Sequence, residues 1–264
     1  MFVPTTVLTL VGNGSVGKTS IINRFRDDGF AKQYKQTVGC DFFEKTVEFQ
    51  GTMVKCTVWD IGGQSLSSKN LSNYVVASTS LFLCYDVTDP QSFGDVSDWL
   101  TMVRRAFDEK NASIVRETEE KNKELRAAGK REKKPKVTEM PMMYLVGNKI
   151  DLIAYRRVTE KEHNNFIKSE NLSGGFFVSA GSGENVLTAF YKVAALSVGI
   201  ELSEYELEFT KKVLSVSVGK EGEGKMKGSA NIEQEDEQVH EDVMNMLEGG
   251  GGGGGGGQCN CLIS

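Results

Sequence analysis

Several things are missing from these 264 residues, and each absence narrows the reading. No apolar run approaches the roughly 20 residues that a membrane-spanning helix needs. No cationic segment precedes the short apolar run near the amino terminus, so a secretory leader is not expected. There is no internal repeat. Cysteines are few, five in all. Cys40, Cys56 and Cys84 lie in or beside strand-like segments and are expected to be reduced core residues of a cytosolic protein. The two histidines, His163 and His240, are isolated and read as solvated surface. Neither sign of charge dominates: 31 basic and 36 acidic residues leave a net charge of −5. The imbalance is local, however. Residues 203–264 carry five basic and twelve acidic side chains, a balance of −7 that leaves +2 for residues 1–202.

What is present begins with Gly12-Asn13-Gly14-Ser15-Val16-Gly17-Lys18-Thr19, which matches G-x-x-x-x-G-K-[ST]. Val7-Leu8-Thr9-Leu10-Val11 before it reads as a buried strand, and Ser20-Ile21-Ile22-Asn23-Arg24-Phe25 after it as the start of a helix. Strand, glycine-rich loop and helix in that order make a phosphate cradle. Backbone N–H groups close around the phosphates at the positive end of the helix. The Lys18 ammonium reaches the terminal phosphates, and the Thr19 hydroxyl is a ligand for Mg²⁺.

Met142-Met143-Tyr144-Leu145-Val146 reads as another buried strand, delivering Gly147-Asn148-Lys149-Ile150-Asp151 at its carboxyl end, where open α/β sheets bind ligands. The Asp151 carboxylate can accept two hydrogen bonds from N1–H and the exocyclic amine of guanine, donors that adenine does not offer in that arrangement. The Lys149 stem can cover the ring, and Asn148 can tie this loop back to the phosphate loop. Phe176-Phe177-Val178 is the expected last strand, with Ser179-Ala180 following to offer a backbone N–H to the guanine carbonyl. Between these lies Trp59-Asp60-Ile61-Gly62-Gly63-Gln64, after the strand-like 54–58. Asp60 is placed to hold Mg²⁺ through water, Gly63 to meet the γ-phosphate, and Gln64 to orient the attacking water. Thr37 is the upstream candidate for a second hydroxyl ligand to Mg²⁺. Apolar runs alternating with amphipathic stretches at 91–107, 159–170 and 184–199 predict an α/β fold, a doubly wound and mostly parallel sheet flanked by helices.

Phosphate loop, Thr37, D-x-x-G-Q, N-K-x-D and S-A occur in the order of the Ras superfamily of small GTPases, which this chain resembles over about residues 5–202. Within it Val38-Gly39-Cys40-Asp41-Phe42, and Tyr85-Asp86-Val87-Thr88 with Ser92-Phe93, are similar to Rab signatures. Lys32 to Thr37, Asp41-Phe42-Phe43, Trp59 to Gln64 and Lys192-Val193-Ala194-Ala195 resemble the Rab subgroup numbered twenty-eight. The resemblance implies a P-loop NTPase fold with a six-stranded sheet. It also implies a GTP/GDP-binding, Mg²⁺-dependent switch that hydrolyses GTP slowly without an activating protein. It adds Ser20, Phe30 and Tyr34 to the nucleotide-binding set of Gly14, Ser15, Val16, Gly17, Lys18, Thr19, Thr37, Gly63, Asn148, Lys149, Asp151, Ser179 and Ala180. Gln64 takes the catalytic role, and Thr19, Thr37 and Asp60 hold the metal. Implied partners are effectors, an exchange factor, an activating protein, a prenyltransferase and a lipid-shielding carrier, with the chain a monomer acting in endosomal or ciliary traffic from the cytoplasmic face. Departures are Ile61, Gly62 and Ser65 where Rabs carry Thr, Ala and Glu, Gly181 for the S-A-K lysine, and Tyr74-Val75-Val76-Ala77-Ser78 for Y-Y-R-G-A. Ile61-Gly62 leaves open a nucleotide-loaded scaffold with negligible turnover, and the terminal C-a-a-X pattern leaves open a Ras-like plasma-membrane signalling GTPase, which Val38 to Phe42 disfavours.

Two segments fall outside a minimal domain. Residues 108–139 carry ten basic and eight acidic residues and almost no large apolar ones, and are expected to mix frayed helix with disordered surface. The basic run Lys130 to Lys136 suggests nucleic acid or acidic lipid, but interleaved glutamates and absent aromatics favour a solvated face over either. Residues 203–264 form an acidic tail. One more helix is expected at 203–212, then disorder over 220–248 and a glycine linker at 249–257. The final Cys261-Leu262-Ile263-Ser264 fits a C-a-a-X prenylation box, with Cys259 a candidate second lipid site.

Overall fold

The computed structural model describes residues 3–27, 37, 39–63, 71–203 and 205–207. Strand β1 (Thr5–Val11) leads through the phosphate loop into helix α1 (Lys18–Asp27). β2 (Cys40–Phe49) and β3 (Thr52–Ile61) form an antiparallel hairpin. Its two-residue turn, Gln50 and Gly51, has φ of 48° and 76°, the left-handed pair that matches the twist of a hairpin. Then come α2 (Leu71–Val76), β4 (Ser80–Asp86), α3 (Pro90–Gly94), α4 (Val96–Ala127), β5 (Met142–Asn148), α5 (Glu160–Ser169), β6 (Gly174–Phe177) and α6 (Val186–Ser197).

The sheet order is β2-β3-β1-β4-β5-β6, parallel except for the β2 edge. The chain leaves β1 toward one side of the sheet and returns from β3 to the other. The carboxyl ends of β1 and β3 therefore flank the switch point where such sheets open a crevice. Strands buried on both faces read as continuous apolar runs, which is why β1, β4 and β5 are legible in sequence. β2 alternates exposed and half-buried residues, as an edge strand should. On one face, Phe25 of α1 stacks on Phe190 of α6 with ring centroids 4.2 Å apart. Each ring removed from water contributes about 2 kcal/mol.

Residues 108–139 are ordered rather than frayed. Helix α4 runs on to Ala127, and the chain then returns along it. Two asparagines explain the order. Asn111 Nδ2 donates to Thr138 O at 3.1 Å while its Oδ1 accepts from Thr138 N at 2.7 Å. Asn122, buried, makes the same pair of bonds with Lys133, both at 2.8 Å. Each side chain stands in for a strand neighbour, so an extended segment pairs with a helix.

Of the tail, Tyr205–Leu207 is helical behind a Ser203–Glu206 capping pair. The expectations for the rest of 203–212, for 220–248, for His240 and for the lipidation cysteines Cys259 and Cys261 lie outside the described residues. Cys56 and Cys84 are buried, and burial pushes both thiols up to about 12. Cys40 is only half-buried, because it opens the edge strand.

His163 corrects the surface reading. It is 2% exposed on the inner side of α5, packed on Phe177, with Nδ1 2.9 Å from the Tyr85 hydroxyl. Burial, helped by Arg156, pulls its pKa from 6.5 to about 4. The unfolded chain takes up this proton near pH 6.5 and the folded chain only near 4. Stability on this account is full above 6.5 and declines as pH falls toward 4. Between pH 7 and pH 5, urea denaturation of the protein should show a loss about 2 kcal/mol larger than that of His163→Gln, which does not titrate. Equal losses would show that the imidazole is not held neutral.

Candidate functional site

The phosphate loop is shaped by its surroundings. Gly12 has φ 140°, and a Cβ there would lie 2.2 Å from the Cys84 carbonyl oxygen of β4, so no larger residue fits. Lys18 is 6% exposed and folds back over the loop, donating to the carbonyl oxygens of Gly12 at 2.6 Å and Asn13 at 2.8 Å. Burial lowers its pKa, while Cys84 and Asp60 oppose the shift. The first-turn amides of α1, including those of Thr19 and Ser20, are the unpaired donors that every helix start offers to an anion.

Beside the loop three oxygen donors converge. Thr19 Oγ1 donates to Asp60 Oδ2 at 2.5 Å and lies 3.0 Å from Thr37 Oγ1, which is 3.4 Å from the same carboxylate oxygen. Asp60 ends β3 at 5% exposure; desolvation raises its pKa, and the Thr19 hydrogen bond and Lys18 pull it back. Its Oδ1 is buried with no partner among the described residues. A buried carboxylate with an unsatisfied oxygen, next to two hydroxyls, fits a small hard cation such as Mg²⁺. Gly63 packs on the loop so closely that a Cβ would stand 2.1 Å from Gly14 N. Gly62 N donates to Gly39 O at 2.8 Å, joining the segments that carry Gly63 and Thr37.

The base end is built around one amide. Asn148 Nδ2 donates to Val16 O at 2.8 Å, and its Oδ1 accepts from Ala180 N at 3.0 Å. The tie to the phosphate loop expected from sequence is present, and the Ala180 N–H proposed for the base is engaged by Asn148. Asp151 Oδ1 accepts from the Ser179 hydroxyl at 2.6 Å. Lys149, at φ 69°, pairs with Asp86 at 2.7 Å. Arg24 of α1 donates to Ala180 O at 2.7 Å and Gly181 O at 2.6 Å, holding the loop where the family lysine is missing. Gln64, Phe30 and Tyr34 lie outside the described residues.

Two features escaped the motif reading. Asn13, a variable position of the loop motif, is fixed from both sides. Its Nδ2 donates to Asp95 Oδ2 at 2.6 Å, and Trp99 Nε1 donates to its Oδ1 at 2.9 Å. Asp95 and Trp99 stand four apart at the start of α4, a same-face spacing visible in sequence but without a target until α4 is placed. Trp59 sits between Phe42 and Tyr74, with ring centroids 4.9 and 4.8 Å away, and Phe42 is 46% exposed.

The Ras family model matches residues 7–126 and 128–198. The chain is also similar to Ras-related protein Rab-28 of Caenorhabditis elegans, 33% identical over 213 residues, which is 80% of this chain and 74% of the relative.

Asn13 ties the loop that carries the Lys18 contacts to α4, so loosening it should loosen the bound nucleotide. Asn13→Ala and Trp99→Phe are expected to speed release of a fluorescent GDP analogue by about tenfold, the equivalent of one or two hydrogen bonds. Unchanged release rates would show that the loop keeps its shape without α4.

Proposed function

Because the chain belongs to the Ras family of small GTPases, as a Rab-type member that binds and hydrolyses GTP, we propose that it is a membrane-traffic switch whose GTP state recruits effectors at endosomal or ciliary membranes. The observation that carries the reading is the convergence of Thr19, Thr37 and Asp60 beside the loop on which Gly63 packs. Both arms of a nucleotide sensor meet there. A γ-phosphate amid these groups would favour this arrangement, and its loss would release it.

Thr19, Thr37 and Asp60 would hold Mg²⁺, which supplies charge neutralisation at the phosphates. Lys18 and the first-turn amides of α1 bind phosphate oxygens, Gly63 offers its N–H to the terminal one, and Asp151 selects guanine. Gln64 orients the water. No arginine among the described residues is placed to act on the phosphates in cis, which favours an activating protein that supplies one. Phe42 and Tyr74, exposed and half-buried, pack on the buried Trp59 between the two sensing segments, the kind of surface on which an effector anchors. Membrane attachment through Cys261, with Cys259 as a second site and a carrier that shields the lipid, completes the proposal.

Single-turnover GTP hydrolysis with Mg²⁺ tests the switch. Gln64→Leu should slow the step by at least about tenfold while GTP binding persists. Tight binding with no turnover in either protein, and none after an activating protein is added, would favour a nucleotide-loaded scaffold. The buried Ile61 beside Gly62, in place of the usual Thr and Ala, motivates that second reading. Phe42→Ala should weaken effector capture by the GTP state by at least about tenfold with hydrolysis unchanged.

A further inference from the structure

The arm formed by the far half of α4 and its return segment has two unlike sides. Asn111 and Asn122 are 11 residues apart, about three turns or 16 Å, so they lie on one face of the helix. Their partners Thr138 and Lys133 are five residues apart, about 16 Å when extended. The two spans agree, so the return segment lies straight and antiparallel along that face.

Lys130, Arg131, Lys133, Lys134 and Lys136 are all exposed on this strap, and among the described residues none of them forms an ion pair. Of the two acids on the return segment, Glu132 is engaged by Arg126 at 3.4 Å, and Glu139 is exposed between Val137 and Met140. At about 100° per residue, Glu109, Glu117, Glu120 and Glu124 fall on the opposite side of the helix together with Arg116; Lys110, Lys121 and Lys123 lie at the flanks, and Asp108 and Glu119 are on the strap's side. Acids thus predominate on the far side of the helix and cations along the strap. At the domain end of the strap, Val137 and Met140 are 50% and 44% exposed.

We propose that the basic strap 130–136 is a docking surface for an anionic phospholipid leaflet. A line of fixed cations flanked by two apolar side chains suits a charged interface with hydrocarbon beneath it. The strap has no aromatic side chain on which a nucleic-acid base would stack. The acidic tail has no basic cluster of its own, and one lipid chain anchors only marginally, so the strap supplies the second attraction. The assignment rests on the membrane role proposed above, yet it requires no lipid on the protein.

The test uses the full-length, unlipidated chain and vesicles of phosphatidylcholine with or without phosphatidylserine. Wild type should co-sediment with the anionic vesicles, lose them as salt rises, and ignore the neutral ones. The triple variant Arg131→Gln, Lys134→Gln, Lys136→Gln should lower partitioning by at least about tenfold and leave GTP hydrolysis unchanged. Glu117→Gln, Glu120→Gln, Glu124→Gln raises net charge by the same amount on the other side and should shift partitioning less than about threefold. Equal and opposite effects of the two triple variants would overturn the docking surface in favour of overall charge. Binding to RNA without binding to vesicles would also overturn it. If the prenylated chain reaches vesicles equally well with and without the strap variants, the strap is refuted while the membrane reading stands.

Discussion

A single buried amide, that of Asn148, joins the two halves of this nucleotide site. It is 1% exposed and spends its donor on the phosphate loop and its acceptor on the loop after β6. Buried polar groups are costly unless paired, so both loops are held at the distances that satisfy it. Arg24 reaches the same base loop from α1, the helix the phosphate loop begins. Phosphate end and base end are therefore tied together by the protein's own side chains. Preorganisation of this kind is what lets a phosphoryl-transfer site work chiefly by positioning.

A second bracket acts from the other side of the loop. Asn13 is held by Asp95 and Trp99 at the start of α4, while its carbonyl accepts from Lys18. Helix α4 thus begins at the phosphate loop and ends, after 32 residues, in the charged arm. One rigid element connects the chemical centre to a surface about 30–40 Å away. The two ends use different physics: short hydrogen bonds among buried and half-buried side chains at one, and at the other exposed cations that form no ion pair among the described residues.

The metal corner differs from both. Thr19, Thr37 and Asp60 come from α1, the segment before β2, and the end of β3. Desolvation works against the Asp60 charge, and the two hydroxyls and Lys18 answer it in part. A cation there would satisfy the remaining Oδ1.

Sequence by itself determined the phosphate loop, the guanine loop, the likeness to small GTPases and the parallel strands, because each depends on residues adjacent in the chain. Gly12, Lys18, Asn148 and Asp60 are legible for that reason. The N-K-x-D asparagine could even be assigned its tie to the phosphate loop. His163 was misread because its isolation in sequence says nothing of Tyr85 and Phe177, which burial brings to it from β4 and β6. Asn13's bracket and the aromatic contacts of Trp59 are not legible because Asn13 is far in the chain from Asp95 and Trp99, and Phe42, Trp59 and Tyr74 are far from one another. The 108–139 segment looked frayed since its composition lacks apolar residues. Its order comes from two asparagine side chains, each bonding one backbone residue of the returning strap. Local pattern names the chemistry; only the tertiary structure decides which distant groups satisfy a buried donor, keep an imidazole neutral or line up exposed cations along one strap.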